Sequence, residues 1–320
     1  MSVLVTGGAG YIGSAVTAVL IRHGYEPVRM DVAPDPAPRL GTYLEADVRD
    51  HDAVMFAIRR HNVTAVVHMA GLIAVAESVR DPLRYWDHNV GGTVALLKAM
   101  GRSGVRMLVF SSSAAVYGEP KFLPITEDHP TVPQSPYGRT KWAVEQILQD
   151  VHAAEQLDYV ALRYFNAAGA MPGVPGERHD PETHLIPNVV AAARGGPMVA
   201  VYGTDYQTAD GTAVRDYVHI QDLAEAHVLA LQYLEREGRS GPFNIANSRG
   251  YSVREVINQV RELTHREVPE ILSPRRPGDP AILVGASDRA RRVLGWTPRY
   301  ETLEAIVRSV LDAPPEASLD

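Results

Sequence analysis

The sequence has no cysteine among its 320 residues. That removes disulfides, thiolate nucleophiles and cysteine-based zinc sites together. Positive charge is not in excess either: 31 Lys and Arg stand against 38 Asp and Glu, for a net charge of −7. The chain as a whole offers no field attractive to DNA, RNA or an acidic membrane, which leaves only local basic pockets. No apolar run is long enough to span a bilayer, and a strand-like run begins as early as Val3. Neither a membrane anchor nor a signal peptide is expected, and the cytoplasm is the default compartment. Aromatic residues are scarce at 7%, but hydrophobic (45%) and charged (22%) fractions are ordinary for a globular chain, and the length allows one large or two modest domains.

What is present begins with a strand, a glycine turn and a helix. Ser2-Val3-Leu4-Val5-Thr6 is a short β-branched run, followed at once by Gly7-Gly8-Ala9-Gly10-Tyr11-Ile12-Gly13. Ala15, Val16, Val19, Leu20 and Ile21 then recur at helical spacing until Gly24. In such a turn Gly7 permits the tight bend, Gly10 lets the backbone approach a pyrophosphate, and Gly13 lets the helix pack closely on the strand. The helix N-terminus then faces the phosphates. A second strand, Pro27 to Met30, ends in Asp31, 21 residues beyond Gly10, where an acid can bond the adenosine ribose hydroxyls. A carboxylate there repels a 2′-phosphate, which points to NAD rather than NADP.

A third strand is read at Tyr43–Val48, a helix at about Asp50–His61 and a fourth strand at Ala65–Gly71. Asp47 either bonds the adenine amino group or caps the following helix. His68 reads as a core or strand-end histidine rather than a catalyst. Asn89, among apolar helix neighbours, is a buried hydrogen-bond anchor or a cofactor contact. Met107–Phe110 is a fifth strand ending in Ser111-Ser112-Ser113. In an open parallel sheet ligands bind beyond the carboxyl ends of the strands, and Ser113 is the hydroxyl chosen as touching substrate. After a proline-rich loop comes Ser135-Pro136-Tyr137-Gly138-Arg139-Thr140-Lys141. Ser135 is placed to cap a helix with Pro136 in its first turn. Tyr137 and Lys141, four apart, then share a face. The ammonium is expected to favour phenolate and to lower a phenol pKa that starts near ~10. Tyr159–Arg163 is the sixth strand. Strands alternating with helices predict a doubly wound parallel sheet.

Beyond Asn166 the texture changes, with Gly, Pro and charge dominating to Glu182 and shorter elements after it. Two domains are expected: residues 1–166 binding the dinucleotide, and a smaller mixed α/β unit, 167–320, partly interleaved with the first and holding substrate.

With these motifs placed in order, the chain resembles the extended short-chain dehydrogenase/reductase family, and within it the UDP-sugar 4-epimerases. The resemblance runs from about Val3 to Thr297. It is most specific in Arg163-Tyr164-Phe165-Asn166, in Thr183 to Pro187, in Tyr202 to Tyr206, and in Asp210-Gly211-Thr212-Ala213-Val214-Arg215-Asp216-Tyr217-Val218-His219. It implies a Rossmann NAD domain lined by Tyr11, Ile12, Asp31, Asp47, Val48, Met69, Ala70, Gly71, Asn89 and Phe165. It implies a catalytic set of Ser113, Tyr137 and Lys141, with Tyr137 and Lys141 also against the cofactor. Asn166, His184, Leu185, Tyr202, Arg215, Arg276 and Asp279 are implied to hold a UDP-sugar. The implied reaction interconverts UDP-glucose and UDP-galactose through transient oxidation at C4, with other UDP-sugars (N-acetylhexosamines or the uronate) as alternatives. Two departures are visible: Ile73 stands where some members carry Lys, and the spacing near Ile282 is one residue shorter than in some.

Competing chemistries are weaker. A 4,6-dehydratase needs an acid–base pair after the fifth strand, where this chain has Ser112-Ser113-Ala114-Ala115. A non-enzymatic dinucleotide sensor has no need of Tyr137 and Lys141. A metal hydrolase built on His179, Asp180, Glu182 and His184 lacks a helical two-His motif and an obvious third ligand, so no metal is expected. The resemblance also implies a homodimer formed by the Asn89 and Tyr137 helices, with Trp142, Val144, Ile147 and Leu148 offered as the apolar face.

Overall fold

In the first strand, β1 (Ser2–Thr6), side chains alternate between two buried faces, as a central strand covered on both sides requires. Val3 and Val5 enter one core and Leu4 the other. The computed structural model describes residues 1–177, 179, 181–237, 240–276 and 278–313. From β1 the chain runs through α1 (Tyr11–Arg22), β2 (Glu26–Asp31), β3 (Thr42–Glu45), α2 (His51–Arg60) and β4 (Val63–His68). Short helices α3 (Val75–Arg80) and α4 (Pro82–Tyr85) and a π-helical stretch, Trp86–Gly91, lead into α5 (Gly92–Arg102). Then follow β5 (Met107–Ser111), α6 (Pro136–Ala153), β6 (Asp158–Tyr164) and β7 (Asn166–Ala168). The second half holds α7 (Leu185–Ala193), β8 (Val199–Tyr202), β9 (Val214–His219), α8 (Ile220–Glu237), β10 (Gly241–Ile245), β11 (Gly250–Ser252), α9 (Val253–Thr264), β12 (Glu270–Ser273), β13 (Ile282–Leu283) and α10 (Leu303–Asp312).

Seven strands form the main sheet among the described residues, in the order β10-β6-β5-β4-β1-β2-β3 and parallel throughout. Read from the other edge this is 3-2-1-4-5-6 with one strand added, the doubly wound Rossmann order. One face is covered by α1 and α8 through Val16, Val19, Leu20, Leu223, Ala226 and Leu231. The other is covered by α2, α5 and α6 through Val54, Ile58, Leu96, Met100, Val144 and Leu148. The strand order reverses between β1 and β4, so a crevice opens beyond their carboxyl ends.

The third strand is shorter than Tyr43–Val48 and the fourth ends at His68, because the chain turns at the glycine- and alanine-rich ends. A larger difference lies in the second half. Phe243–Ile245, far along the chain, completes the first sheet as β10, in register with Leu162–Tyr164 of β6. Helix α8 likewise packs against α1. The smaller unit consists of α7, α9 and α10 around Val189, Val256, Val260, Ile306 and Val307, with two small sheets, β11-β9-β13 with β7 and β12-β8.

Candidate active site

The glycine turn is built as its residue types require. Gly7 sits at φ 72°, and a Cβ there would meet Ala70 N at 2.7 Å, so the turns after β1 and β4 touch. A Cβ on Gly13 would lie 2.0 Å from Gly7 O. Gly10 differs: its nearest obstacle is 3.3 Å away, so the protein's own packing does not demand the glycine as strictly. The first α1 bond runs from Ser14 N to Gly10 O, and no side chain caps the helix. The Tyr11, Ile12 and Gly13 N–H groups are therefore open to an anion. Asp31, at the end of β2, accepts from Ala9 N (3.1 Å) and Ala33 N (3.1 Å). An uncapped helix start, an unobstructed glycine and a carboxylate beside them are the donor and acceptor set a dinucleotide with free ribose hydroxyls fits.

Around that turn the cofactor candidates fall into two groups. Met69 and Ala70 are held by Thr6, and Ile12 packs on the first core. Val48 lies against Gly92. Tyr11 turns its hydroxyl to Gly169 O at 2.6 Å. Phe165 is buried against Ala246 and Gly285. Asp47 is ion-paired to Arg49 at 2.7 Å, and the cap of α2 is Asp50, which accepts from Asp52 N and Ala53 N. Asn89 is an anchor: its amide donates to Leu72 O (3.1 Å) and Thr140 Oγ1 (3.1 Å) and accepts from Leu72 N (2.8 Å). Both its N–H hydrogens are used, so it fixes the Gly71 turn rather than offering a donor. His68 bridges Thr6 and Thr93 in the core, and burial pushes it down to about 3.

The three serines after β5 are told apart by their partners. Ser111 Oγ bonds His227 Nε2 at 2.9 Å, and Ser112 Oγ donates to Glu145. Ser113 is left beside Tyr137, close enough to lower its phenol, while its Oγ accepts from Ala115 N at 3.2 Å. In α6, Ser135 Oγ caps by accepting from Gly138 N at 3.1 Å. Tyr137 and Lys141 are both buried on the face toward β5. Lys141 Nζ donates to Ser111 O at 2.8 Å and lies 6.0 Å from the Tyr137 ring centroid.

The electrostatics correct the expectation drawn from the pair alone. Burial raises the Tyr137 phenol above its ordinary value, the Ser113 hydroxyl opposes that only in part, and Lys141 does not figure among the causes. Burial also lowers Lys141 to about 8, against the pull of Glu145 one turn on. Glu145 is itself held by Arg163, whose Nη2 lies 2.5 Å from Oε2 and whose Nη1 donates to Tyr117.

On the far side, Asn166 lies in β7 beside Tyr217, and Leu185 opens α7. Arg215 Nη2 pairs with Asp279 at 2.5 Å, Arg276 stacks 4.1 Å over Tyr202, and its charge reaches His184. Pro277, between the last two loop candidates, lies outside the described residues. The run that matched most specifically also contains Asp216, fully buried and accepting from the N–H groups of Asn247, Ser248 and Gly285. It ties the loop after β10 to the segment after β13.

A family model for the NAD dependent epimerase/dehydratase family matches residues 3–246. The chain belongs to that family. It is 44% identical over 318 residues to the UDP-glucose 4-epimerase of Lacticaseibacillus casei, which covers 97% of this chain and 95% of that relative. The solved UDP-glucose 4-epimerase from Brucella ovis in complex with NAD is 43% identical, with 96% of each chain covered and a TM-score of 0.92. The Bifidobacterium longum UDP-glucose 4-epimerase, solved with NAD+ and UDP, is 39% identical with a TM-score of 0.93, over 97% of each chain. Sequence reading missed Glu145 and His227, which hold Ser112 and Ser111 behind Tyr137 and Lys141. Glu145 had a signal, its position four residues beyond Lys141; His227, on an apolar helix far along the chain, had none.

Proposed function

We propose that this protein is an NAD-dependent UDP-sugar 4-epimerase that interconverts UDP-glucose and UDP-galactose. The observation that carries the reading is the set Ser113, Tyr137 and Lys141, gathered beyond β5 at the same carboxyl end of the parallel sheet as the uncapped α1 turn. Near-full-length similarity to named UDP-glucose 4-epimerases supports it. Gly7, Gly10, Gly13, Tyr11, Ile12 and Asp31 are the residues that hold the dinucleotide, with Met69, Ala70, Gly71 and Phe165 along its length. When bound, oxidised NAD supplies the hydride acceptor for C4 and a second positive charge. Tyr137 takes the 4-hydroxyl proton and later returns it, Ser113 bonds the same oxygen, and Lys141 holds positive charge behind the phenol.

Magnitudes show why Lys141 does not suffice alone. Lowering a phenol by ~3 units needs about 4 kcal/mol. One charge ~6 Å away gives roughly 3 kcal/mol at an effective dielectric of ~20, and burial works against it. The cofactor charge makes up the difference, so Tyr137 becomes a base only in the loaded protein. The 4-keto sugar has to turn over between the two half-reactions, so its anchor is the UDP. Arg215, Arg276, His184, Leu185, Tyr202, Asn166 and Asp279 form that anchor, guanidinium groups suiting oxyanions. The test is to incubate purified protein with UDP-galactose, add no cofactor, and assay UDP-glucose. Formation is expected; none, even with added NAD, overturns the reading. Parallel assays with UDP-N-acetylgalactosamine and UDP-glucuronate separate the alternative sugars.

We further infer a cytoplasmic homodimer. Its face is the exposed apolar group Val79, Leu83 and Trp86 beside the half-buried Trp142 and Ile147 of α6. Val144 and Leu148, expected there, belong to the chain's own core instead, at 0% exposure. Light scattering at micromolar concentration is expected to give twice the chain mass; monomer mass counts against pairing. No helix among the described residues is long and apolar enough to cross a membrane.

A further inference from the structure

The loop before α7 brings together ligand atoms that the sequence keeps apart. His179 Nδ1 and His184 Nδ1 are 3.1 Å apart. Glu177 Oε1 lies 3.2 Å from the His184 nitrogen and 4.0 Å from the His179 nitrogen. Glu182 stands behind both rings, Oε2 at 3.4 Å from His179 Nδ1 and Oε1 at 3.3 Å from His184 Nδ1. Its Oε1 also accepts from the Thr183 and His184 N–H groups, each at 2.8 Å, which fixes the carboxylate. Asp180, the fourth residue of the metal reading weighed from the sequence, lies outside the described residues. Glu177 takes the place of the missing ligand.

Two physical arguments bear on these positions. Each imidazole nitrogen carries one hydrogen at most, and ionised carboxylates only accept. Two ring nitrogens and two carboxylates converge on one small volume, where the Glu177 side chain is only 8% exposed. A cation satisfies all of them at once. The spacing agrees: ligands held at about 2.0–2.1 Å in a tetrahedron are about 3.3 Å from one another. Two edges of the triangle match, at 3.1 and 3.2 Å, and the third is longer at 4.0 Å.

We propose that Glu177, His179 and His184 form a binding site for a borderline divalent cation of the zinc type. Nitrogen and carboxylate donors without sulfur suit such an ion better than magnesium or calcium, which take oxygen ligands. Three protein ligands leave a fourth position for an exchangeable group. The Glu177 charge reaches Tyr11 of α1 and the Arg276 charge reaches His184, so the site borders residues proposed to hold the dinucleotide and the nucleotide sugar. Competition between zinc and UDP follows, and this last step alone rests on the nucleotide role proposed for His184.

The test uses the full chain without an affinity tag, dialysed against Zn²⁺ and analysed for metal, with Co²⁺ absorption reporting coordination geometry. One equivalent of zinc and a tetrahedral-type Co²⁺ spectrum are expected. His179→Ala and Glu177→Gln are each expected to weaken zinc binding at least tenfold, with unchanged melting in the absence of metal. No stoichiometric uptake, or uptake indifferent to both substitutions, overturns the site. UDP is expected to weaken zinc uptake. Uptake that UDP leaves untouched, while both substitutions abolish it, supports the metal site and removes His184 from the nucleotide contacts. Loss of UDP affinity in His184→Ala, with no zinc uptake by the unaltered chain, overturns the metal site alone.

Discussion

Tyr137 is a phenol in the wrong environment for a base until something cationic arrives. Burial raises it, and the Lys141 charge, 6.0 Å from the ring centroid, does not reverse that. Two outcomes follow at this scale. Tyr137→Phe is expected to keep NAD and UDP-sugar affinity yet lose roughly 10²–10⁴-fold in turnover, the range for removing a positioned acid–base group; near-full kcat would sink the assignment. The phenol of the cofactor-free protein is expected to titrate above 10 in ultraviolet difference spectra, and to drop once NAD is added. Lys141, lowered to about 8 by burial, loses its charge as pH rises through that value, so the alkaline limb of the cofactor-free binding profile belongs there. The Tyr–Lys spacing and the serine run were readable because they are local. The direction of the phenol shift was not, since it depends on how deeply β5 and α6 bury the pair.

At the scale of elements, the two glycines of the α1 turn have separable reasons. Gly13 is required by packing, because a methyl would stand 2.0 Å from Gly7 O, whereas Gly10 is only crowded at 3.3 Å. Gly13→Ala is expected to destabilise the fold by several kcal/mol, read as a lowered midpoint in thermal melts. Gly10→Ala is expected to fold nearly as well and to bind NAD weakly, since this turn is the proposed seat of the pyrophosphate. Equal melting losses with equal NAD losses would refute the division of roles. The strand–turn–helix pattern made this element legible from Val3 to Leu20. The π-helical stretch Trp86–Gly91 and the two-residue strand β13 were not legible, being set by tertiary neighbours rather than by periodicity. Asp47 illustrates the same limit: its type suited a cap, but Asp50 stands at the helix start and takes the bonds.

For the whole molecule, buried histidines set the acid limit. Burial lowers His68 to about 3 and His219 and His227 to about 4. Their unfolded value is ~6.5, so between ~6.5 and 4 the unfolded chain binds protons that the folded chain refuses. Stability is complete above that window and falls as pH drops through it. Asp216, raised to about 7, and Glu177, raised to about 8, act in the opposite sense, as does Asp222, which burial also raises. At ~1.4 kcal/mol per unit and group the carboxyls offset most of the histidine term, and a net loss of about 2 kcal/mol from pH 7 to 4 is expected. Melting temperatures constant over that range would contradict it, and His227→Gln is expected to flatten the slope. The first six strands of the main sheet were legible because strands buried on both faces read as short continuous apolar runs between turns. That residues 241–245 return to it was not, because nothing in a five-residue apolar run names its partner.

That return has a consequence for how the protein is made. Strand β6 ends at Tyr164, and its outer neighbour begins only at Gly241. While the ribosome adds the intervening stretch, the rim of the nascent sheet is left without its last strand, a bare backbone edge of the kind that recruits foreign strands. Late emergence of a short segment thus closes what the earliest residues began, and a nascent chain halted near Asn166 is expected to need chaperone cover that one halted beyond Ile245 does not.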